Sequence, residues 1–308
     1  MELYQLRSFV AVSEVENLTR AADRLHVSQP AVSAHIKALE EEFELALFER
    51  RSNGMRLTPA GRRLLVEAQK LLAAAQSLLN EARAIRGEVA GVARVGTLSD
   101  PQFIRVAEWM NAAVLRYPAI EIRLQHVVTG EGFEKVRDGE LDGSFYYGDL
   151  THPKVAALVL REITYRIVAP SAWAPRIGTA EWAAIATEPW VMTPAISTHH
   201  QLASTLFHAH GIAPTKVVEA DDEFVVGSLV VAGLGMGLMR EDLAQERMRA
   251  GKVCLWRDVR LSTTLQFVYP QEQAASPVIR ALLDVLHDVW ELPRHKDGGG
   301  GAARAGAR

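Results

Sequence analysis

Residues Ser28 to Glu40 read SQPAVSAHIKALE. Val32, Ile36 and Leu39 recur at spacings of four and three, which predicts one buried face of a helix. Ser28 is suited to cap it, because a serine oxygen accepts from the free N–H groups of a first turn. Pro30 falls where a missing N–H has no intrahelical partner to lose. Burying the apolar face leaves Gln29, Pro30, Ser33, Ala34 and Lys37 outward, so the helix leads with a tip of short polar residues.

Upstream, NLTRAADRL predicts a shorter helix, capped by Asn17 or Thr19, with Ala21, Ala22 and Leu25 on its inner side. His26-Val27-Ser28 breaks it, and Leu3, Leu6, Phe9 and Val10 mark a first helix before it. Two short helices joined by a tight turn describe a helix-turn-helix, whose second helix enters the DNA major groove by its N-terminal residues. Gln29 suits bidentate pairing with adenine, and Ser33 suits a base edge or a phosphate. The competing reading is an ordinary capped amphipathic helix in an all-α core.

Downstream, LFERRSNGMRLTPAGRR carries Arg50, Arg51, Arg56, Arg62 and Arg63 against Glu49 alone, while acids collect in EEEFE, Glu40 to Glu44. Asn53-Gly54 predicts a two-residue hairpin turn between Leu47-Phe48 and Met55 to Leu57. Arginines on a hairpin beside a helix pair make a winged helix-turn-helix, with one face for phosphate and another for water. Candidate DNA contacts are Thr19, Arg20, Ser28, Gln29, Pro30, Ser33, Lys37, Arg50, Arg51 and Arg56. A bland reading leaves the hairpin arginines solvated.

The order LRSFVAVSE, LTRAADRLHVSQPAVSAHIKALEEEF, LFERR, LTPAG resembles the N-terminal domain of LysR-type transcriptional regulators over about the first 65 residues. Ala34 departs from it, lying where that family often carries arginine or lysine, which shifts binding toward Lys37 and Arg50. The resemblance implies double-stranded promoter DNA as partner, a working tetramer that bends it, and RNA polymerase as a further candidate partner.

Between Gly61 and Gly87 no proline or glycine intervenes. Leu64, Leu71, Leu78 and Ile85 are spaced by seven, with Ala68, Ala75 and Ala82 four after the first three, which is a heptad seam. A helix this long that leaves a DNA-binding head is expected to pair across a two-fold axis and hold two heads a turn of DNA apart, or a multiple of one.

Past the glycines of GEVAGVA, strands alternate with helices: VARVG, a helix over Pro101 to Tyr117, IEIRLQHV, a short helix over Glu131 to Asp138, then LDGSFYYG. The series recurs around WVMT, His199 to His210, TKVVEA, Phe224 to Ala232 and GMGLM. Alternation predicts a mostly parallel sheet in two similar α/β lobes. The last helix, Pro277 to Glu291, is expected to return to the first lobe, and KDGGGGAARAGAR reads as disordered. This half is similar to the effector domain of the same family, which resembles two-lobed periplasmic solute-binding proteins. The family's VxAGxGxxxLP appears as VVAGLGMGLMR, with Arg240 at the proline position.

The fold expected is thus an N-terminal all-α winged helix-turn-helix plus a two-lobed, periplasmic-binding-protein-like α/β effector domain. Boundaries fall at 1–58 for the DNA-binding domain, 59–87 for the dimerisation helix, 88–294 for the effector domain and 295–308 for the tail.

Ligands of open α/β lobes sit where strand ends meet helix N-termini. Strand ends give Thr97, Ser99, Thr129, Gly130 and Gly148 in the first lobe, and Thr193 and Ser197 in the second. Tyr147 and Phe224 add an apolar wall, and His199 or His200 is a further effector contact. Hydroxyls and free N–H groups favour a carboxylate or other small anion.

Composition is ordinary for a globular chain, with 48% hydrophobic and 23% charged residues and a net charge of −3. No apolar run is long enough for a membrane span or a signal core. Cys254 is the one cysteine, so neither an internal disulfide nor a cysteine zinc site can form, and a reducing cytoplasm is the expected compartment. The histidines of HHQLASTLFHAH do not converge at helical spacing, so no metal or cofactor is expected. No nucleophile elbow, HExxH or P-loop occurs, which argues against an enzyme. A solute-binding protein is the remaining alternative, and the absent signal peptide argues against it.

Overall fold

The structure is a computed structural model that describes residues 1–51, 54–86 and 88–293, and for Arg50, Arg51, Ser77, Glu81 and Ala84 the backbone alone. The expectations placed on Asn53, on the side chains of Arg50 and Arg51, and on the 295–308 tail lie outside the described residues.

Three helices form the head: α1 (Leu3–Val15), α2 (Leu18–Leu25) and α3 (Gln29–Phe43). Leu6, Phe9 and Val12 of α1 close on Ala21 and Ala22 of α2 and on Val32, Ile36 and Leu39 of α3, all buried. The alanines let the helix backbones approach, and Ser8 Oγ ties α1 to His35 Nδ1 of α3 at 2.8 Å. Asn17, rather than Thr19, caps α2, its Oδ1 accepting from Arg20 N at 3.0 Å. His26 turns the chain with a left-handed φ of 55°.

The hairpin follows as β1 (Phe48–Arg51) and β2 (Gly54–Leu57). Its register pairs Arg51 with Gly54, so Gly54 belongs to the second strand and not to the turn that Asn53-Gly54 predicts. The glycine answers a packing need. Its φ is +141°, and a Cβ there would lie 2.3 Å from the Glu16 carbonyl oxygen, which also accepts from Met55 N at 2.8 Å. The hairpin is pinned to the end of α1 by that approach. Glu40 is not a merely solvated member of the acidic run either: its Oε1 accepts from Leu47 N at 2.7 Å and Phe48 N at 3.2 Å, fixing the start of β1.

Helix α4 (Pro59–Ile85) runs 27 residues, about 40 Å at the usual rise. The heptad stripe divides along its length. Ala68 is buried and Leu64, Leu65 and Leu72 pack into the head, whereas Leu71, Leu78, Leu79 and Ile85 are exposed. Only the second group is left for another molecule.

The remaining chain runs β3 (Gly91–Thr97), α5 (Val106–Arg116), β4 (Ile120–His126), α6 (Thr129–Arg137), β5 (Gly143–Tyr147), β6 (Val155–Pro170), α7 (Ala174–Ile177), α8 (Trp182–Thr187), β7 (Pro189–Met192), α9 (Thr198–Ala209), β8 (Thr215–Glu219), α10 (Glu223–Val231), β9 (Gly237–Arg240), α11 (Glu241–Arg249), β10 (Val253–Pro270) and α12 (Pro277–Val289). The first lobe has β4-β3-β5 parallel, and the second has β7-β8 parallel with a bridge from Trp190 to Met236 beside β9. A mostly parallel sheet is nonetheless wrong. β6 and β10, to which the sequence reading assigns no element, pair antiparallel with each other over most of their length, and β10-β5 and β6-β9 are antiparallel too. These two long strands carry the chain between lobes and stitch them together.

The helix expected from Pro101 starts only at Val106, because Arg105 adopts a left-handed φ of 51° and Phe103 N donates to Asp100 Oδ1 at 3.0 Å in a preceding turn. Trp109, Phe145 and Phe267 meet at the centre of the first lobe, with centroids 5.4–6.0 Å apart. α12 closes that lobe against α5: Arg116 pairs with Asp284 and Asp288, and Trp109 Nε1 donates to the Leu282 carbonyl at 3.4 Å.

Candidate functional site

At the tip of α3, Ser28 is the cap, its Oγ accepting from Ala31 N at 3.3 Å. Gln29, Pro30, Ala34 and Lys37 are exposed and Ser33 is half-buried, so the chain's own α/β portion leaves the tip uncovered. Thr19, Arg20 and Arg56 are exposed as well, and Lys37 rests against Glu41 at 3.4 Å, a contact between solvated groups that a phosphate can displace.

Between the lobes lies a cavity of about 60 Å³. Of the residues expected at the strand ends, it brings together Ser99, Thr129, Tyr147, Thr193, Ser197, His199 and Phe224. Thr97, Gly130 and Gly148 do not line it. Thr97 Oγ1 turns to the Gln125 carbonyl at 3.4 Å. The two glycines are where the lobes touch: a Cβ on Gly130 would lie 2.4 Å from the Ile196 carbonyl oxygen, and one on Gly148 3.0 Å from Thr198 Cγ2. They close the cleft rather than furnish it.

Lining residues that sequence reading missed are the polar and aromatic Asp100, Asp221, Glu223, Tyr165 and His126 and the apolar Leu98, Val127 and Val128. The acids sit just after a strand or at a helix start, a position that strand-end reasoning reaches, although it singles out hydroxyls there. Tyr165 comes from the unassigned β6.

Hydrogen bonding orients the second lobe's face completely. His199 Nε2 is 3.1 Å from the Leu238 carbonyl, which can only accept, so that nitrogen carries a proton. Burial drives the His199 pKa down to about 4, leaving the ring neutral and Nδ1 an acceptor at pH 7. Thr193 Oγ1, 3.2 Å away, therefore donates to Nδ1, and Ser197 Oγ donates to Thr193 Oγ1 at 2.6 Å while accepting from His200 N at 3.1 Å. Both hydroxyl protons are spent inside the lobe.

Glu223 Oε1 accepts from the Arg240 backbone N–H at 2.9 Å, and Oε2 lies 3.5 Å from Tyr165 Oη. Burial raises its pKa, against the pull of Arg240. The Arg240 side chain is committed elsewhere, to Asp242 by two bonds of 2.7 and 3.0 Å and to Asp100 at 2.8 Å, with its guanidinium 3.4 Å from the Phe103 ring centroid. Asp222 caps α10 through Phe224 N and Val225 N. His200 Nδ1 donates to the Thr193 carbonyl and His210 stacks on Trp182, and among the described residues no group of three or more histidine, cysteine or acidic side chains could hold a metal.

An exposed capped tip on a three-helix head, a hairpin wing, a long helix and two α/β lobes around a cleft coincide with two family descriptions. "Bacterial regulatory helix-turn-helix protein, lysR family" matches residues 3–62, and "LysR substrate binding domain" matches residues 86–291. The chain belongs to the LysR family. It is a LysR-type DNA-binding transcriptional regulator with a substrate-binding domain, not an enzyme. Among its LysR relatives, the HTH-type transcriptional regulator IlvR of Caulobacter vibrioides is 29% identical over 299 residues, covering 95% of this chain and 100% of its own. Two solved LysR structures share the fold. A full-length variant of OxyR from Pseudomonas aeruginosa has a TM-score of 0.70 at 23% identity, covering 95% of each chain. Full-length CbnR in complex with its target DNA has 0.62 at 23%, covering 94% of this chain and 99% of that one. No described helix of this LysR regulator is long and apolar enough to cross a membrane.

Proposed function

We propose that this regulator reads promoter DNA with paired α3 tips, and that a small effector between the lobes alters how its dimers assemble on that DNA. Residues 1–58 form the reading head, 59–87 the pairing helix and 88–294 the effector domain. The observation that carries the reading is the exposed, Ser28-capped tip of Gln29 and Pro30, standing clear of the chain's own lobes. Exposed Leu71, Leu78 and Ile85 on α4 supply the two-fold seam, and a tetramer made of two such dimers is the working unit. RNA polymerase is the partner that the assembled complex would meet at a promoter, and the cytoplasm is the compartment in which all of these partners are found.

The effector bears a carboxylate or similar anion. Thr129 opens α6, where free N–H groups and the helix dipole favour negative charge, and Ser99 lines the same cavity from the loop after β3. An effector changes the DNA complex only through unequal affinity for two assembly geometries.

Electrophoretic mobility shift with the DNA upstream of the protein's own gene tests the first half. A retarded band that tolerates excess unrelated duplex is expected, and no discrimination at any protein concentration refutes the reading. Repeating the shift with metabolite extract tests the second half: an unchanged complex, together with no ligand recovered from the purified protein by mass spectrometry, would remove the effector.

A further inference from the structure

The two walls of the cleft offer opposite chemistry. The first lobe presents donors, the Thr129 hydroxyl and the opening N–H groups of α6, while its own lining carboxylate, Asp100, is engaged by Arg240 Nη2 and Phe103 N. The second presents acceptors alone, since the protons of Thr193 and Ser197 are consumed by the chain that ends on Leu238, leaving one lone pair on each oxygen. Beside them stands Glu223. A carboxylate has room for about four hydrogen bonds, and Glu223 receives one at 2.9 Å and one at the 3.5 Å limit. The Arg240 guanidinium, held by Asp100 and Asp242, makes no hydrogen bond to it and acts on it only through space. Asp221 adds a second carboxylate to the wall, and both lining histidines, His126 and His199, bond within the protein. Tyr147 Oη, closed off from solvent, lines the same cavity without a hydrogen-bond partner. A purely anionic ligand would meet the first wall well and the second badly.

We infer that the cleft takes a small zwitterion, its carboxylate on the Thr129 end of α6 and its protonated nitrogen held by Glu223 together with the Thr193 and Ser197 oxygens. This rests on the reading of the cleft as the effector site and narrows its ligand class to amino acids and molecules like them. An ammonium brings three donors to a wall that has only acceptors, and it satisfies the buried Glu223 carboxylate in its charged form. The cavity of about 60 Å³ has room for roughly four waters, which suits a small amino acid with the lobes as they stand. Because Gly130 and Gly148 of one lobe already touch Ile196 and Thr198 of the other, a ligand that bonds both walls favours this closed arrangement.

Titration calorimetry on the full-length protein tests the assignment with the twenty common amino acids, and with shape-matched pairs that differ in the nitrogen: L-alanine against propionate, L-serine against 3-hydroxypropionate, L-2-aminobutyrate against butyrate. At least one amino acid is expected to bind, with its nitrogen-free partner weaker by roughly 10- to 100-fold, the equivalent of one lost charge-assisted hydrogen bond. Glu223→Gln keeps an oxygen for the Arg240 N–H, so it should fold, and should erase the preference for the nitrogen. Thr129→Val should weaken both members of a pair. Nitrogen-free acids binding as tightly as the amino acids, with Thr129→Val still weakening them, would overturn the zwitterion and leave the effector cleft standing. Binding indifferent to both substitutions would place the ligand elsewhere and sink both readings. A panel in which no amino acid binds overturns the assignment outright.

Discussion

Arg240 Nη2 of the second lobe lies 2.8 Å from Asp100 Oδ2 of the first, an almost fully buried ion pair spanning the cleft. Resemblance to the family sets a proline at this position, and the Arg240 backbone, with φ −56°, would accept one. A proline could not, however, donate the N–H that holds Glu223, nor supply the cation between Asp100 and Asp242. Arg240→Met is expected to destabilise the folded protein by about 3 kcal/mol, because it leaves the Asp100 charge largely out of water with the Phe103 N–H but no cationic partner. Asp242 is half in solvent and rehydrates more easily. Urea unfolding measures the loss, and a change under about 1 kcal/mol would mean the pair behaves like a surface one.

Gly54→Ala is expected to destabilise the head by about 2 kcal/mol or more and to weaken DNA binding with it. The added Cβ meets the Glu16 carbonyl at 2.3 Å, and backbone cannot give way as a flexible side chain does. Gly211→Ala is the control: its φ is +65° but nothing lies within 4 Å, so it should lose only about 1 kcal/mol. Equal losses at the two positions would show that backbone conformation, not the contact with α1, decides the effect.

How much of this was legible in the sequence depends on the range over which each signal acts. Local signals served well: Ser28 as a cap, the buried trio Val32, Ile36 and Leu39, the Ser99 and Thr193 hydroxyls just past strand ends, and those of Thr129 and Ser197 at helix starts. Signals set by distant partners did not. Nothing around Gly54 announces that Glu16 will lie against it, so the glycine reads as turn chemistry. Strands β6 and β10 carry charges such as Arg161, Glu162 and Arg260 amid apolar stretches, since part of each is half-covered as it passes between lobes, and that irregular burial hides them. The carboxylates Asp100, Asp221 and Glu223 are visible as residues, but their convergence depends on the two lobes meeting.

Stability should rise with pH between about 4 and 6.5 in a manner that traces to His199. Its folded pKa is lowered to about 4 by burial, below the 6.5 of an exposed histidine. Between these values the unfolded chain binds the proton and the folded one refuses it, so acid favours unfolding, by up to about 3 kcal/mol for this shift. Above 6.5 both states are neutral and the dependence from this group ends. Unfolding free energies across that window should flatten in His199→Gln relative to the parent protein. An unchanged slope would assign the dependence to other groups.

At the DNA, Arg56→Ala and Gln29→Ala should separate affinity from specificity. Arg56 is exposed on the wing, and removing one phosphate-binding charge weakens binding to every sequence and lowers the salt slope by about 1. Gln29 at the tip of α3 presents an amide for adenine, and its loss should relax preference at one base pair by about 1–3 kcal/mol while the salt slope stays put. Competition binding at several salt concentrations measures both quantities. Identical loss of discrimination in the two variants would contradict the division of labour between wing and tip.

Pairing through α4 is tested by Leu78→Glu. Leu78 is 71% exposed and Ile85 80%, seven residues apart on the outer half of the helix, whereas Leu72 packs inward on the head. Burying a leucine from each of two chains is worth about 1.5–3 kcal/mol apiece, so charging the position should weaken the dimer by roughly 100-fold or more. Sedimentation analysis should then find monomer at concentrations where the parent is paired. The head should stay folded, since its core does not use Leu78, and binding to a two-half-site operator should fall far more than binding to a single half-site. Leu72→Glu should instead unfold the head and abolish both. A Leu78→Glu protein that remains dimeric would move the two-fold seam off this helix and onto the lobes.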